Sequence, residues 1–146
     1  MVANPRITSP SAGVVLLYGG FGMGPEIWVC STDPRRSLAF VLASEGYDVW
    51  VGSNRGYRRP RREHLWNFDL NTLARDLKVV IRGVLANTGV SKLAYVGFSQ
   101  GATVAFIALT QSPKLNTRIN LFVALAPVAT WKRPPSIVLN VLAKTP

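Results

Sequence analysis

The stretch Gly97-Phe98-Ser99-Gln100-Gly101 places a serine between two glycines, directly after a short apolar segment. A G-x-S-x-G pattern at a strand-to-helix junction is typical of a sharp turn that exposes a nucleophilic serine. Residues two before and two after the serine come close together in such a turn. Gly97 and Gly101 provide the required absence of side chains there. Ser99 is therefore predicted to be the nucleophile of an acyl-transfer reaction.

An acyl-transfer site also needs N–H groups that stabilise the oxyanion. The backbone N–H of Gln100 is one expected donor, because a helix that begins there has free N–H groups at its first turn. The second is expected in the glycine-rich loop at 18–24, with the N–H of Phe21 as first candidate and that of Gly20 as second. A merely flexible turn is the alternative. This loop has no G-x-G-x-x-G and no G-K-[ST], so nucleotide-phosphate binding is not expected.

A base for Ser99 is harder to find. In this kind of site the chain order is serine, then Asp or Glu, then His, yet no acidic residue and no histidine follows Ser99. The last acidic residue is Asp76 and the only histidine is His64. His64 lies in an arginine-rich segment, where a solvated side chain is the simpler interpretation and a substitute base the alternative. Because an unassisted serine is a weak nucleophile, the isolated chain is predicted to be inactive.

Alternating apolar segments predict the elements that position these residues. Short apolar runs predict strands buried on both faces at 13–18, 47–52, 92–97 and 119–127. Between them, helices are predicted from Asp33 to Gly46 with Leu38, Val41 and Leu42 toward the core, at 70–86, and from Ser99 onward. This alternation predicts an α/β fold in three αβα layers, with a mostly parallel sheet and functional residues at the carboxyl ends of its strands.

Composition limits the other function classes. The chain has 146 residues, 48% of them hydrophobic, which suits one domain with a buried core. A single cysteine excludes an intramolecular disulfide, and without clustered histidines a structural zinc site is not expected. No cofactor and no metal are expected. No signal peptide and no transmembrane segment is recognisable, so the sequence leaves the compartment open.

The chain has a formal net charge of +10, and one segment is especially basic. Five arginines fall within eight positions, namely Arg55, Arg58, Arg59, Arg61 and Arg62. A solvated loop is the simplest interpretation, and attraction to an anionic membrane or lipid-droplet surface is the main alternative. A nucleic-acid partner is not expected, since no nucleic-acid-binding motif accompanies the charge.

Three longer stretches resemble the acid lipases, the α/β-hydrolase group that includes gastric and lysosomal acid lipases and fungal steryl ester hydrolases. They are LAFVLASEGYDVWVGSNRG at 38–56, YVGFSQG at 95–101 and LFVALAPVAT at 121–130. The resemblance implies a neutral lipid ester as substrate, either a triacylglycerol or a sterol ester. It also implies Ser99 as nucleophile and Gln100 and Phe21 as oxyanion donors. Family members usually carry a histidine where this chain has Gly19.

The same resemblance sets the expected domain organisation. Residues 1–131 are expected to form a partial α/β-hydrolase core, and residues 132–146 to begin a lid segment. The chain ends before the positions where the family places its lid, its triad acid and its triad histidine, so it is expected to be part of a longer reading frame. A non-catalytic relative of the hydrolases, which binds a membrane surface or a protein partner through its basic loop, is the alternative.

Overall fold

Four parallel strands form the sheet in the computed structural model, which describes residues 12–57 and 68–129. The strands are β1 (Val14–Tyr18), β2 (Asp48–Gly52), β3 (Leu93–Phe98) and β4 (Ile119–Leu125), in the spatial order β2-β1-β3-β4. All four predicted strands are present, with boundaries that differ by one or two residues. The predicted parallel sheet is confirmed.

Helices connect successive strands. They are α1 (Leu38–Ser44), α2 (Leu70–Thr88), α3 (Gln100–Thr110) and the short α4 (Pro113–Asn116), with 3-10 helices at Pro25–Trp28 and Pro34–Arg36. The second helix ends as its sequence predicts, because Gly89 adopts the left-handed conformation (φ 73°) and donates its N–H to the Leu85 carbonyl. No helix in the described ranges is long and apolar enough to span a membrane.

The single helix predicted after Asp33 is wrong, because the segment forms two helices. Asp33 caps only the 3-10 helix Pro34–Arg36, where its side chain accepts a hydrogen bond from the Arg35 N–H. Ser37 then has extended backbone (φ −102°, ψ 114°), and its carbonyl accepts the first hydrogen bond of α1 from the Val41 N–H. The extended residue interrupts the helical hydrogen bonding and sets a new start for α1.

The predicted core face of this helix is confirmed only in part, because Leu42 packs against the core as expected but Leu38 and Val41 do not. Leu38 and Val41 are each 36% exposed. The buried side chains of α1 are instead the two alanines Ala39 and Ala43, at 0% and 6% exposure. Small alanine side chains allow a helix to approach a sheet closely, so α1 packs on the core through Ala39 and Ala43, with Leu42 beside them.

Helices cover both faces of the sheet and produce the predicted three layers. On one face, Leu16, Tyr18 and Tyr95 pack against α2 and α3, where Leu73, Leu77 and Ile81 are essentially fully buried. On the other face, alternate residues of the same strands pack against α1 and Trp28; these are Val15, Leu17, Val49 and Val96. The alternation of side chains along each strand therefore divides the apolar residues between two cores.

The expectation that the fourth strand is buried on both faces is wrong for the described residues. Leu121 is 57% exposed and Leu125 is 36% exposed, whereas Phe122 packs against Tyr95 and Phe106. Within the described ranges β4 is hydrogen-bonded to a neighbour only along β3, so it forms an edge of the sheet. Strand β4 therefore has the apolar composition of a central strand, but among the described residues it lies at the sheet edge and its leucines are exposed.

The strand order places a topological switch point beside β1. The chain passes from β1 outward to β2, then crosses back to β3 on the opposite side of β1. Tyr18 is level with Gly52 on one side and with Gly97 on the other, so the loops after β1 and β3 leave the sheet at the same height. In open parallel sheets, ligands bind at such a point. The predicted nucleophile and the predicted oxyanion loop both follow these strands.

Candidate active site

Ser99 has a strained backbone at the junction between β3 and α3. Its φ of 51° and ψ of −117° lie outside the regions that L-residues normally occupy. Surrounding hydrogen bonds hold this conformation: the Ser99 N–H donates to the Leu125 carbonyl at 2.9 Å, and the Ser99 carbonyl accepts from the N–H groups of Ala102 and Thr103. Strain retained by so many contacts is characteristic of functional turns.

Gly97 and Gly101 lie where the sequence pattern requires residues without side chains. A Cβ on Gly97 would stand 2.8 Å from the Ala102 nitrogen, and one on Gly101 would stand 2.6 Å from the Tyr18 carbonyl oxygen. Both distances are shorter than van der Waals contact permits. The Gly101 carbonyl also accepts a hydrogen bond from the buried Tyr95 hydroxyl at 2.8 Å. The first turn of α3 is thereby fixed against the ends of β1 and β3.

The glycine-rich loop after β1 lies against the serine turn. A Cβ on Gly20 would be 3.1 Å from the Ser99 Cβ and 3.4 Å from the Phe98 carbonyl oxygen. The Met23 N–H donates to the Gly20 carbonyl at 3.3 Å, which closes a turn with Phe21 and Gly22 at its corners; Gly22 has a positive φ of 63°. Phe21 is 46% exposed at the tip of this turn. The structure thus brings Gly20 close to Ser99, and Phe21 follows it in the same turn.

Sequence reasoning missed a third segment, the loop that follows β2. Asn54 in this loop is only 5% exposed, and its Nδ2 donates to the Gln100 Oε1 at 3.1 Å. Tyr57 donates its hydroxyl to Glu26, and its ring lies directly against Gly24, where a Cβ would displace it. The signal available in the sequence was a polar residue at the carboxyl end of a parallel strand.

The segment after β4 completes the surroundings of the serine turn. Leu125 accepts the Ser99 N–H, and the Val128 carbonyl accepts a hydrogen bond from the Thr103 hydroxyl at 2.8 Å. Between them, Ala126 has a positive φ of 45°, which is uncommon for a residue other than glycine. Segments after β1, β2 and β4 therefore all contact the Ser99 turn or α3, so the region of the predicted nucleophile is built from four strand ends.

The two tyrosines beneath this turn are poor bases at neutral pH. Burial, reinforced by the negative charge of Asp76 and opposed by Arg55, raises the pKa of Tyr18 to about 12. Burial likewise raises the pKa of Tyr95 well above its usual value. Both hydroxyls therefore stay protonated, and they can donate hydrogen bonds but cannot accept the Ser99 proton.

The described acidic side chains near the sheet are occupied with other partners. Asp76 forms a two-bonded ion pair with Arg55, in which Arg55 Nη2 lies 2.6 Å from Asp76 Oδ1, and this hydrogen bonding raises the pKa of Arg55. Asp48 accepts from the Trp50 indole at 3.1 Å. Among the described residues, no group of three His, Cys, Asp or Glu side chains could hold a metal ion. His64 lies outside the described residues, as do Arg58, Arg59, Arg61, Arg62 and the segment 132–146.

Comparison with known proteins agrees with this geometry. The sequence pattern of the α/β-hydrolase fold matches residues 13–146. The chain belongs to the α/β-hydrolase fold family. A solved esterase from Exiguobacterium antarcticum has the same fold, with a TM-score of 0.61 over 82% of this chain and 40% of its own, at 20% sequence identity.

Among curated proteins, the chain is similar to lipases. It is 41% identical to lipase member K of Mus musculus over 95% of its length, and 42% identical to human gastric triacylglycerol lipase over 86% of its length. The resemblance to acid lipases is thereby confirmed. The chain spans 37% of the first relative and 33% of the second, about a third of each.

Proposed function

We propose that this chain carries the nucleophile and oxyanion half of a serine ester hydrolase that acts on neutral lipids, with triacylglycerols and sterol esters as the two substrate classes. The observation that carries the proposal is the strained Ser99 at the carboxyl end of β3, with the Gly20 loop packed against it. Relatives that are 41% and 42% identical bear the name lipase, which supports a lipid ester as the substrate.

The chemistry follows from this arrangement. Ser99 Oγ attacks the ester carbonyl carbon while a base accepts its proton, and the carbonyl oxygen becomes a tetrahedral oxyanion. The N–H groups of Gln100 and Phe21, with Gly20 as the alternative to Phe21, stabilise that charge, helped by the positive end of α3. Collapse of the intermediate breaks the ester C–O bond, and the alcohol leaves with the proton that the base returns to it. Water then hydrolyses the acyl group on Ser99, which releases the carboxylic acid and restores the serine hydroxyl.

The base is the part of this mechanism that the residues after Ser99 do not provide. We therefore expect the chain to hydrolyse p-nitrophenyl esters no faster than background on its own. A base from solution should substitute in part, because in this proposal the chain lacks only the base. Imidazole is the natural choice, since it is the functional group of histidine.

The experiment compares p-nitrophenyl butyrate hydrolysis by wild type and by Ser99→Ala across a series of imidazole concentrations. Subtracting the Ser99→Ala rate removes the reaction of free imidazole with the ester. The proposal expects a Ser99-dependent rate that increases with imidazole concentration and is absent without it. Equal rates for the two proteins at every imidazole concentration would contradict it. Robust Ser99-dependent turnover without imidazole would instead favour His64 as the base, tested by His64→Ala.

A second candidate function is supported by charge. Five arginines at 55–62 and a net charge of +10 suit a chain that binds an anionic membrane or lipid-droplet surface without hydrolysing its lipids. Arg55 contributes less to such a surface than the sequence suggests, because its guanidinium is paired with Asp76. The remaining four arginines would have to carry the attraction.

A further inference from the structure

Asn54 is an unusual residue for its surroundings because it is polar and buried. Among the described residues, the buried polar side chains are Ser37 and Asn54. Burying an amide without full hydrogen bonding is unfavourable, by roughly 1–3 kcal/mol on mutational scales. Asn54 recovers part of this through one hydrogen bond, from its Nδ2 to the Gln100 Oε1, which links positions 46 residues apart in the chain.

We propose that Asn54 is a positioning residue for the reaction, which fixes Gln100 and through it the oxyanion-binding N–H beside Ser99; this inference rests on the proposed function. Gln100 is the first residue of α3 and follows Ser99 directly. A side chain held at its end restricts the backbone that carries it. Holding the Gln100 side chain therefore restricts the direction of the Gln100 N–H, and oxyanion donors must lie within a few tenths of an ångström of their best position.

The strained conformation of Ser99 needs support from the β2 side of the turn, where Asn54 lies. The other hydrogen bonds that hold the turn come from β4, through Leu125, and from within β3 and α3, through Tyr95, Ala102 and Thr103. Asn54 lies on the opposite flank, after β2, and is the described side chain that reaches the turn from there. A conformation that costs roughly 1–3 kcal/mol persists only where the surroundings fix it from several directions.

The loop that carries Asn54 is itself firmly attached. On one side of Asn54 the chain emerges from β2, where the Gly52 carbonyl accepts the Gly19 N–H at 3.1 Å. On the other side, Arg55 is paired with Asp76 of α2, and Tyr57 is hydrogen-bonded to Glu26. Asn54 therefore extends from a rigid segment, as a positioning residue must.

The Oδ1 atom of Asn54 indicates that this residue positions Gln100 without adding much to the stability of the fold. Asn54 Oδ1 is buried, and none of the residues that the structure describes donates a hydrogen bond to it. An unpaired buried acceptor destabilises the folded state, so Asn54 contributes little net stability even though it orders Gln100. Its removal should consequently affect the turn and the reaction much more than the melting temperature.

The experiment uses the full 146-residue chain and three single variants. Asn54→Ala and Gln100→Ala remove the same hydrogen bond from its two ends, and the Gln100→Ala backbone keeps its N–H. Ser37→Ala is the matched control, because it removes the other buried polar side chain at the start of α1. The measurements are ¹⁵N relaxation of the Ser99 and Gln100 amides, the melting temperature, and the kcat and KM of imidazole-assisted butyrate hydrolysis.

We expect both site variants to increase motion at the Ser99 and Gln100 amides and to lower the assisted kcat about tenfold to hundredfold with KM unchanged. The double variant should be no slower than either single variant, because both remove one interaction. Ser37→Ala should leave these amides and kcat unchanged. Unaltered relaxation at Ser99 and Gln100 in both site variants would overturn the inference. The relaxation data decide the positioning role even if wild type shows no Ser99-dependent hydrolysis, an outcome that would contradict only the proposed function.

Discussion

Gly20 packs directly against Ser99, so closely that a Cβ on the glycine would stand 3.1 Å from the Cβ of the serine. This contact joins the loop after β1 to the turn after β3, across the switch point of the sheet. In the proposed mechanism, the N–H groups of this loop are the second source of oxyanion donors for a carbonyl at Ser99. The chemistry proposed for the chain depends on this adjacency more than on any other contact.

The flanking glycines should tolerate no substitution. Gly97→Ala and Gly101→Ala would each place a Cβ less than 3.0 Å from backbone atoms, so each should reduce the free energy of unfolding by about 1–3 kcal/mol. Gly83→Ala is the control: its Cβ would meet nothing within 4 Å in the interior of α2, so it should stabilise by roughly 0.5–1 kcal/mol. Urea titrations measure all three. Equal stability for the flanking variants and wild type would mean that the turn is looser than described.

Ser99→Gly should stabilise the fold while it removes the nucleophile. Glycine adopts a φ of 51° without the steric penalty that serine pays, so the free energy of unfolding should rise by about 1 kcal/mol. Ser112→Gly serves as control, because Ser112 has extended backbone (φ −145°) and gains nothing from the change. Thermal melting provides the comparison. A Ser99→Gly variant less stable than wild type would argue against strain at this residue.

Asp69 should stabilise α2 in a pH-dependent way. Its Oδ1 accepts hydrogen bonds from the N–H and the hydroxyl of Thr72, and these lower its pKa below the usual 3.8. A lowered pKa means that the stabilisation is complete above the unfolded-state value and is lost as the pH falls through the folded-state value. Asp69→Ala should therefore melt at a lower temperature than wild type at neutral pH.

The difference in melting temperature between wild type and Asp69→Ala should shrink below about pH 3.8. Asp69→Asn is the control, since asparagine caps helices about as well and does not titrate. Its melting temperature should stay near that of wild type at neutral pH. A gap between wild type and Asp69→Ala that is constant from neutral to strongly acidic pH would show that capping by the ionised carboxylate is unimportant.

Vesicle binding tests the second candidate function. If the basic segment binds a membrane, the chain should bind vesicles that contain anionic lipid, and it should bind them more weakly as the salt concentration rises. Each arginine neutralised near the surface should reduce the free energy of binding by roughly 1 kcal/mol. The test variant changes Arg58, Arg59, Arg61 and Arg62 to Gln, and the control makes the same charge change at Arg35, Arg36, Arg75 and Arg82. Equal loss in both variants would indicate attraction by net charge alone. No binding at low salt would leave a solvated loop.

The sequence was sufficient for features that depend on local pattern. Short apolar runs marked all four strands, and Gly89 marked the end of α2, because strand burial and helix capping are read within a few neighbouring residues. The Ser99 turn belongs to this class, since the strand, the two glycines and the helix are consecutive. Its φ and ψ agree with the exposed turn that the pattern indicates.

Features that depend on distant parts of the chain were not accessible. The contact between Asn54 and Gln100 joins residues 46 positions apart, and nothing in either neighbourhood specifies the other. The core face of α1 was predicted only in part: Leu42 packs against the core, but Leu38 and Val41 are exposed, because the side of a short helix that docks on the sheet depends on tertiary packing. The exposure of Leu121 depends on what lies beside β4, and an apolar strand sequence does not determine its neighbours.

The most direct test of the central claim is covalent trapping of Ser99 by an alkyl p-nitrophenyl phosphonate in the presence of imidazole. The phosphonate adduct is stable and resembles the tetrahedral intermediate, so it requires both the serine and its oxyanion donors. The account predicts imidazole-dependent release of p-nitrophenolate, with mass spectrometry placing the adduct on Ser99 and none forming in Ser99→Ala. Labelling spread over several serines, or equal labelling of wild type and Ser99→Ala, would contradict it.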